Sequence, residues 1–390
     1  MNRILILSSK APYPLVDGAA IRTFQSIYVL AELGYSVDVL YISEHDDYDV
    51  VSKGLNKYCE HLFHFIVKKR QAYMKVLKGL LFNAYPLQVN YFYSPKIKRW
   101  IDRNANKYDI VYCNNIRTAL YAKDVKVKKI LDFVDAYSMN YQAARERTKG
   151  LWHWMYTIDF PRCEKFEQEM LQVFDKCLII SQIDKDYILS HAKEPVDIVV
   201  VENYTPIDAN KQLSVNSDKH QLVFVGAMNY EPNVSAVRFF CKQVMPSLIK
   251  RYTDITFYIV GKTPTPEVLA LADKHTIVTG YVDSVWDYLK DASVVVTPMQ
   301  SGSGLQNKIL QALSVGACVV TTPKGFEGLV KDDGQPYVAR NSTEMIDTIS
   351  YLLDHPEERV ARKSLSIQYV KKHYDIDVIK RKFSKIFSSI

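Results

Sequence analysis

Residues 301–329, SGSGLQNKILQALSVGACVVTTPKGFEGL, gather groups suited to holding an anion. The small-residue turn Ser301-Gly302-Ser303-Gly304 leads through Leu305 into a helix pattern that sets Lys308 and Gln311 one turn apart on one face. A glycine turn at a helix start offers backbone N–H groups and the positive end of the helix dipole. A lysine in the first turns adds a point charge. The segment therefore reads as a phosphate site, and the plainer alternative is an ordinary helix start in an α/β domain.

Other loops carry similar chemistry. In SSKAPYPLVDGAAIR, Gly18 precedes a helix that Asp17 is placed to cap, and Arg22 sits one turn in, within reach of an anion. A capped helix with a surface arginine is the other reading. In FVGAMNYEPN, Gly226 marks a close approach, and Asn229 and Asn233 either meet a ligand or, with Pro232, start the next helix. Lys262 follows Gly261, and Tyr281 follows Gly280, in further turns of this kind. Asp135, in ILDFVDAYS, is the carboxylate best placed to face a cleft and act in catalysis; the alternative is a cap or loop acid, and Asp132 before it reads as structural. No H-E-x-x-H, G-x-S-x-G or G-x-x-x-x-G-K-[ST] occurs, which disfavours zinc proteases, serine hydrolases and Walker-type NTPases.

Short Val/Ile/Leu-rich runs must position these loops. They lie at Ile4–Leu7, Ser36–Ile42, His61–Val67, Ile110–Cys113, Lys129–Asp132, Lys176–Ile180 and Asp197–Val201, then at Gln221–Val225, Thr256–Val260, Thr276–Thr279, Ser293–Thr297 and Ala317–Thr321. Most are continuous rather than alternating, the mark of parallel strands covered on both faces. Helix patterns between them include Ala19–Leu33, Tyr137–Phe174, Val234–Arg251 and Gln306–Val315. Two doubly wound α/β domains are expected, at 1–202 and 221–374, joined by the polar segment 203–220. In such sheets ligands sit outside the carboxyl ends of the strands, where the glycine loops fall.

Six scattered cysteines without a C-x-x-C pair point to a reducing cytoplasm rather than a disulfide framework or zinc site. No apolar run approaches the ~20 residues needed to span a bilayer. The net charge of +7 is unevenly placed. Between Lys53 and Lys107 stand 12 Lys/Arg against Glu60 and Asp102, so this stretch is +10 and the rest of the chain −3. An anionic partner surface is implied.

The loops together resemble the large retaining glycosyltransferase family called family four, with the GT-B fold. YPLVDGAAIRTF, LVFVGAMNYEPN, FYIVGKTP, TGYVDSVWDYLKDASVVVTP and GLQNKILQALSVGACVVTT follow in that family's order across nearly the whole chain, most similar to the subgroup that builds bacterial exopolysaccharides. The resemblance implies two Rossmann-like domains facing a central cleft, the last helix, about 375–390, packing back on the first. It implies transfer from a nucleotide-sugar donor, such as a UDP- or GDP-sugar, to a saccharide or lipid-linked acceptor, with retention and without a metal. Lys308 would pair with the donor diphosphate. Gly302, Ser303 and Gly304 would line phosphate and sugar, and the Gly18 loop would close over the diphosphate. Where the family carries E-x(7)-E, this chain has Ser303 and Gln311. Gln311 still accepts a ribose hydrogen bond, but without charge; Ser303 suits an acidic donor or marks lost activity. Asn229 stands where a phosphate-facing arginine is often found, and Glu327 is an alternative acid.

Lys68–Phe82, KKRQAYMKVLKGLLF, mixes basic and apolar residues as interfacial helices do, and Trp152-His153-Trp154-Met155-Tyr156 suits the same interface. An anionic inner-membrane surface is the expected partner, with the protein peripheral on its cytoplasmic face. The alternative is a solvated basic face whose apolar side is buried in the domain. With no recognised binding module, nucleic acid is not expected. Two other functions stay open: a catalytically silent nucleotide-sugar-binding protein and a sugar-nucleotide epimerase.

Overall fold

The computed structural model describes residues 2–15, 17–207, 220–302 and 304–390. Ser303 and residues 208–219, within the expected linker, lie outside these. The chain divides into two compact units: unit 1, Met1–Asn203 with Ile379–Ile390, and unit 2, Tyr204–Val378.

Unit 1 holds a seven-stranded parallel sheet: β1 (Arg3–Ser8), β2 (Ser36–Ser43), β3 (His61–Ile66), β4 (Ile110–Asn114), β5 (Lys128–Asp132), β6 (Lys176–Ile179) and β7 (Ile198–Val200), in spatial order β3-β2-β1-β4-β5-β6-β7. Its central strands are buried because helices cover both faces, which explains their unbroken apolar runs. Strand order reverses between β1 and β4, so the switch point lies at the carboxyl ends of those two strands. Helix α1 (Gly18–Glu32) leaves β1 there, its first turn capped by Asp17, which accepts from the Ala20 N–H at 2.9 Å.

A buried ion pair ties α1 to the sheet. Arg22 Nε donates to Asp132 Oδ2 at 2.7 Å, and Tyr112 Oη donates to the same oxygen at 2.7 Å. Arg22 Nη1 donates to the Glu202 carbonyl at 3.2 Å, and the Val134 N–H to Asp132 Oδ1 at 3.1 Å. Both charged side chains are essentially inaccessible to water. Burial works against the Arg22 charge, but Asp132, Tyr112 and Glu202 together outweigh it and the guanidinium pKa is raised. Arg22 is therefore not a ligand-facing cation: it is committed to the core, because Asp132, 110 residues on, stands beside it.

Three more helices matter here: α2 (Lys69–Phe82), α3 (Tyr137–Arg147) and α4 (Gly150–Val173). The single helix expected over Tyr137–Phe174 is two, because Thr148 and Lys149 are extended and Gly150 adopts φ +61°, open to glycine at no steric cost. The C-terminal helix, Ile376–Phe387, is bound to unit 1 by Lys382–Glu202 and Lys380–Glu32 (3.0 Å) ion pairs.

Unit 2 holds β8 (Gln221–Val225), β9 (Thr256–Val260), β10 (Thr276–Gly280), β11 (Val294–Thr297), β12 (Val319–Thr321) and β13 (Tyr337–Val338), all parallel, in the order β10-β9-β8-β11-β12-β13. Strand β13, two residues long and half-exposed, carries no apolar run and was not expected. The switch point falls between β8 and β11. Helix α5 (Glu231–Gln243) follows β8, and α6 (Asn307–Ser314) follows β11. The pattern over Val234–Arg251 is broken at Val244, and a separate helix runs over Met245–Arg251 with Pro246 in its first turn. Among the described residues, no helix is long and apolar enough to cross a membrane.

Removing one partner of a buried ion pair strands the other charge, at about 3–5 kcal/mol. Asp132→Ala is predicted to lower the urea midpoint of unit 1 accordingly, and Arg22→Met with Asp132→Leu to recover most of that loss. If Asp132→Ala unfolds at the wild-type midpoint, Arg22 does not depend on it.

Candidate functional site

The site is built at the switch point of unit 2, where loops leave the carboxyl ends of β8, β11 and β12. Gly226 follows β8. Its N–H donates to the Val260 carbonyl at 3.0 Å, and the Met228 N–H donates to the Lys262 carbonyl at 2.9 Å, so the loops after β8 and β9 are stitched together. The approach is so close that a Cβ on Gly261 would lie 1.7 Å from the Gly226 carbonyl oxygen. A Cβ on Gly226 would in turn lie 2.6 Å from Asn233 Nδ2. Asn233, in the first turn of α5, is buried; its Nδ2 donates to the Ala227 carbonyl at 2.9 Å, which turns Oδ1 outward as an acceptor.

That acceptor takes a hydrogen bond from Lys308 Nζ. The ammonium also lies 3.7 Å from Met299 Sδ and 4.8 Å from the centroid of the Phe224 ring, a cation–π contact. Among the described residues no carboxylate pairs with it, and burial alone pushes its pKa down to about 7. Lys308 thus sits in the second residue of α6, at the positive end of the helix, poorly solvated and without a counter-charge. An anion there would supply what is missing.

The glycine turn before α6 has the expected conformation. Gly302 adopts φ +108° and Gly304 φ +69°, left-handed values that favour glycine at both places. Ser301 Oγ donates to Glu231 Oε2 at 3.3 Å, linking the turn to the start of α5. The loop after β12 joins from the other side: Thr322 Oγ1 donates to the Met299 carbonyl at 2.6 Å, and a Cβ on Gly328 would lie 2.7 Å from the Gly304 carbonyl. Leu305 is buried beneath the turn. Gln311 is half-buried one turn beyond Lys308. Glu327 is half-buried and paired with Lys324. Asn229 and Tyr281 are exposed at the tips of their loops.

The expected residues of unit 1 lie at its own carboxyl edge. Gly18 is exposed at the start of α1. Asp135 follows β5; burial, then the charges of Asp184 and Asp132, raise its pKa to about 7, against the pull of Arg117 and Arg22. A carboxyl group with that pKa both gives and takes a proton near neutrality.

The sequence reading missed Asn233 as the partner of Lys308, and also Phe224, Glu231 and Gly328. Phe224 is one of several apolar residues in its strand. The glycine of FEGL was the only visible sign of the Gly328–Gly304 approach.

A family model described as glycosyl transferases group 1 matches residues 219–355. The matched stretch lies within unit 2, which is thus similar to the domain that this model describes. A curated relative, an uncharacterised 44.6 kDa protein in the cps region of Klebsiella pneumoniae, is 23% identical and covers 99% of both chains. Among solved structures, sucrose-phosphate synthase of Thermosynechococcus elongatus superposes with a TM-score of 0.74 at 11% identity, over 100% of this chain and 99% of that one. The Anabaena protein HepE, in complex with UDP, superposes with a TM-score of 0.69 at 11% identity over 100% of both chains. The fold is GT-B.

The Gly226–Gly261 contact predicts an order of damage. Gly261→Ala drives a methyl into backbone and is expected to cost about 1–3 kcal/mol or more in unit 2. Gly226→Ala meets only the movable amide of Asn233 and is expected to cost less stability. Urea unfolding of both variants checks this; the reverse order would contradict the stitched-loop geometry.

Proposed function

We propose that the chain transfers a sugar from a nucleotide-sugar donor, its diphosphate held at Lys308 and the start of α6, to a saccharide or lipid-linked saccharide acceptor. The observation that carries this reading is the half-buried Lys308 ammonium, which meets Asn233 but, among the described residues, no carboxylate, beside a left-handed glycine turn at a switch point. Charge grows on the departing diphosphate as the glycosidic bond breaks, and a preorganised cation and helix dipole stabilise that charge most where water is excluded. In this reading Lys308, rather than a metal ion, neutralises the leaving group, and the sugar is transferred with retention. The UDP and UDP-glucose complexes of HepE support a nucleotide-sugar donor, and the cps-region relative supports polysaccharide synthesis as the setting. Six unpaired cysteines fit a reducing cytoplasm.

A second reading, a nucleotide-sugar binder without turnover, is favoured by the neutral Gln311 where the resembled family carries a carboxylate. Incubation with a panel of UDP- and GDP-sugars and bacterial lipid extract distinguishes the two. Sugar transfer that survives EDTA and falls by about 10²–10³-fold in Lys308→Ala is expected for the transferase. Binding without transfer would favour the second reading, and unchanged donor affinity in Lys308→Ala would remove the diphosphate assignment altogether.

A further inference from the structure

Helix α2 exposes large apolar side chains and buries small ones. Its solvent face carries Tyr73, Leu77, Leu81 and Phe82, with Leu81 69% and Phe82 83% exposed. Its inner face carries the small residues Ala72 and Gly79, and the inward-turned Lys75, whose Nζ donates to the Tyr93 carbonyl at 2.6 Å. Burial lowers the Lys75 pKa to about 8. An ordinary surface helix buries its leucines; here leucine and aromatic side chains stand exposed beside the basic ones, and one lysine is turned inward.

Three contacts fix that orientation. Lys75 is anchored to the Tyr93 carbonyl. Gly79 lies so close to Asn90 that a Cβ would come within 2.4 Å of its amide. Arg162 of α4 donates to the Gly79 carbonyl at 3.4 Å and the Leu80 carbonyl at 3.0 Å, closing the end of α2. Rotating α2 to bury its leucines would break all three. The same α4 that closes α2 exposes Trp152 and Trp154 in its first turns.

The surrounding charge selects the occupant. Lys68, Arg70 and Lys78 are exposed on or beside α2, and Arg147 and Lys149 just before α4, with Glu146 the acid among the latter. Lys69 is partly neutralised by Glu44 at 3.2 Å. We propose that this face of unit 1, α2 with the start of α4, docks on an anionic lipid bilayer. Leucine, phenylalanine and tryptophan side chains enter the acyl boundary while lysine and arginine meet the headgroups, each basic residue adding about 1 kcal/mol. Tryptophan favours that depth because one end of its ring system is apolar and the other donates a hydrogen bond. A second copy of this chain would bring like charges together, which opposes self-docking. The inference uses unit 1 alone and does not depend on the donor site.

The test is sedimentation of the full chain with phosphatidylcholine vesicles, with and without phosphatidylglycerol, at low and high salt. Binding to the anionic vesicles, weakened by salt and nearly absent on neutral ones, is expected. Leu77→Ser/Leu81→Ser/Phe82→Ser should reduce partitioning by about 100-fold. Trp152→Ala/Trp154→Ala should reduce it as well; both sets are exposed, and circular dichroism verifies folding. No sedimentation with anionic vesicles at low salt, or equal partitioning by the triple variant, overturns the proposal. So does a self-associated species by analytical ultracentrifugation that the triple variant abolishes, since a second copy would then own the face.

Discussion

The site in unit 2 depends on one electrostatic fact: an ammonium is held in the fold without a carboxylate, among the described residues, to balance it. A buried cation normally either acquires a partner or gives up its proton. Lys308 is poised between these, with a pKa near 7, because an amide oxygen, a thioether and an aromatic face stabilise the charge only in part. The surrounding loops serve this arrangement. Gly226 and Gly261 let two strand ends approach, that approach leaves room for Asn233, and Asn233 orients the lysine. The left-handed glycines at 302 and 304 then bring the chain round into the helix that carries Lys308.

Unit 1 treats its charges in the opposite way. Arg22 and Asp132 are fully enclosed, but each is the other's counter-ion, and Tyr112 and backbone groups fill most of the remaining bonding positions. That knot holds α1 against the sheet and leaves Asp135 to share a region crowded with carboxylates, where its proton is held to about pH 7. One unit thus stores an uncompensated positive charge, and the other keeps a carboxyl group close to its titration point.

The strands were legible in the sequence because parallel strands covered on both faces need unbroken apolar runs, and twelve such runs fell where strands form. The exception, β13, is too short and too exposed to carry the signal. Lys308 was legible because a glycine turn before a helix start is a local pattern. Arg22 was misjudged for the complementary reason: one turn into a capped helix it reads as a surface cation, and only the fold brings Asp132 to it. Helix α2 shows the same limit. Its mixture of leucine and lysine is visible in sequence, but which face is buried is decided by Gly79 against Asn90 and by Lys75 at the Tyr93 carbonyl, contacts with distant residues. The break before Gly150 was hidden because an isolated glycine is tolerated within a helix pattern.

The account stands on the charge of Lys308, and calorimetric titration with uridine diphosphate at pH 8, in buffers of different ionisation enthalpy, measures it directly. At that pH the free lysine is mostly neutral, and a diphosphate would raise its pKa; binding is therefore predicted to take up close to one proton. Affinity should fall as pH rises above 7, and the uptake should vanish in Lys308→Met. Binding with no proton exchange at pH 8, or with the same uptake in Lys308→Met, would contradict it.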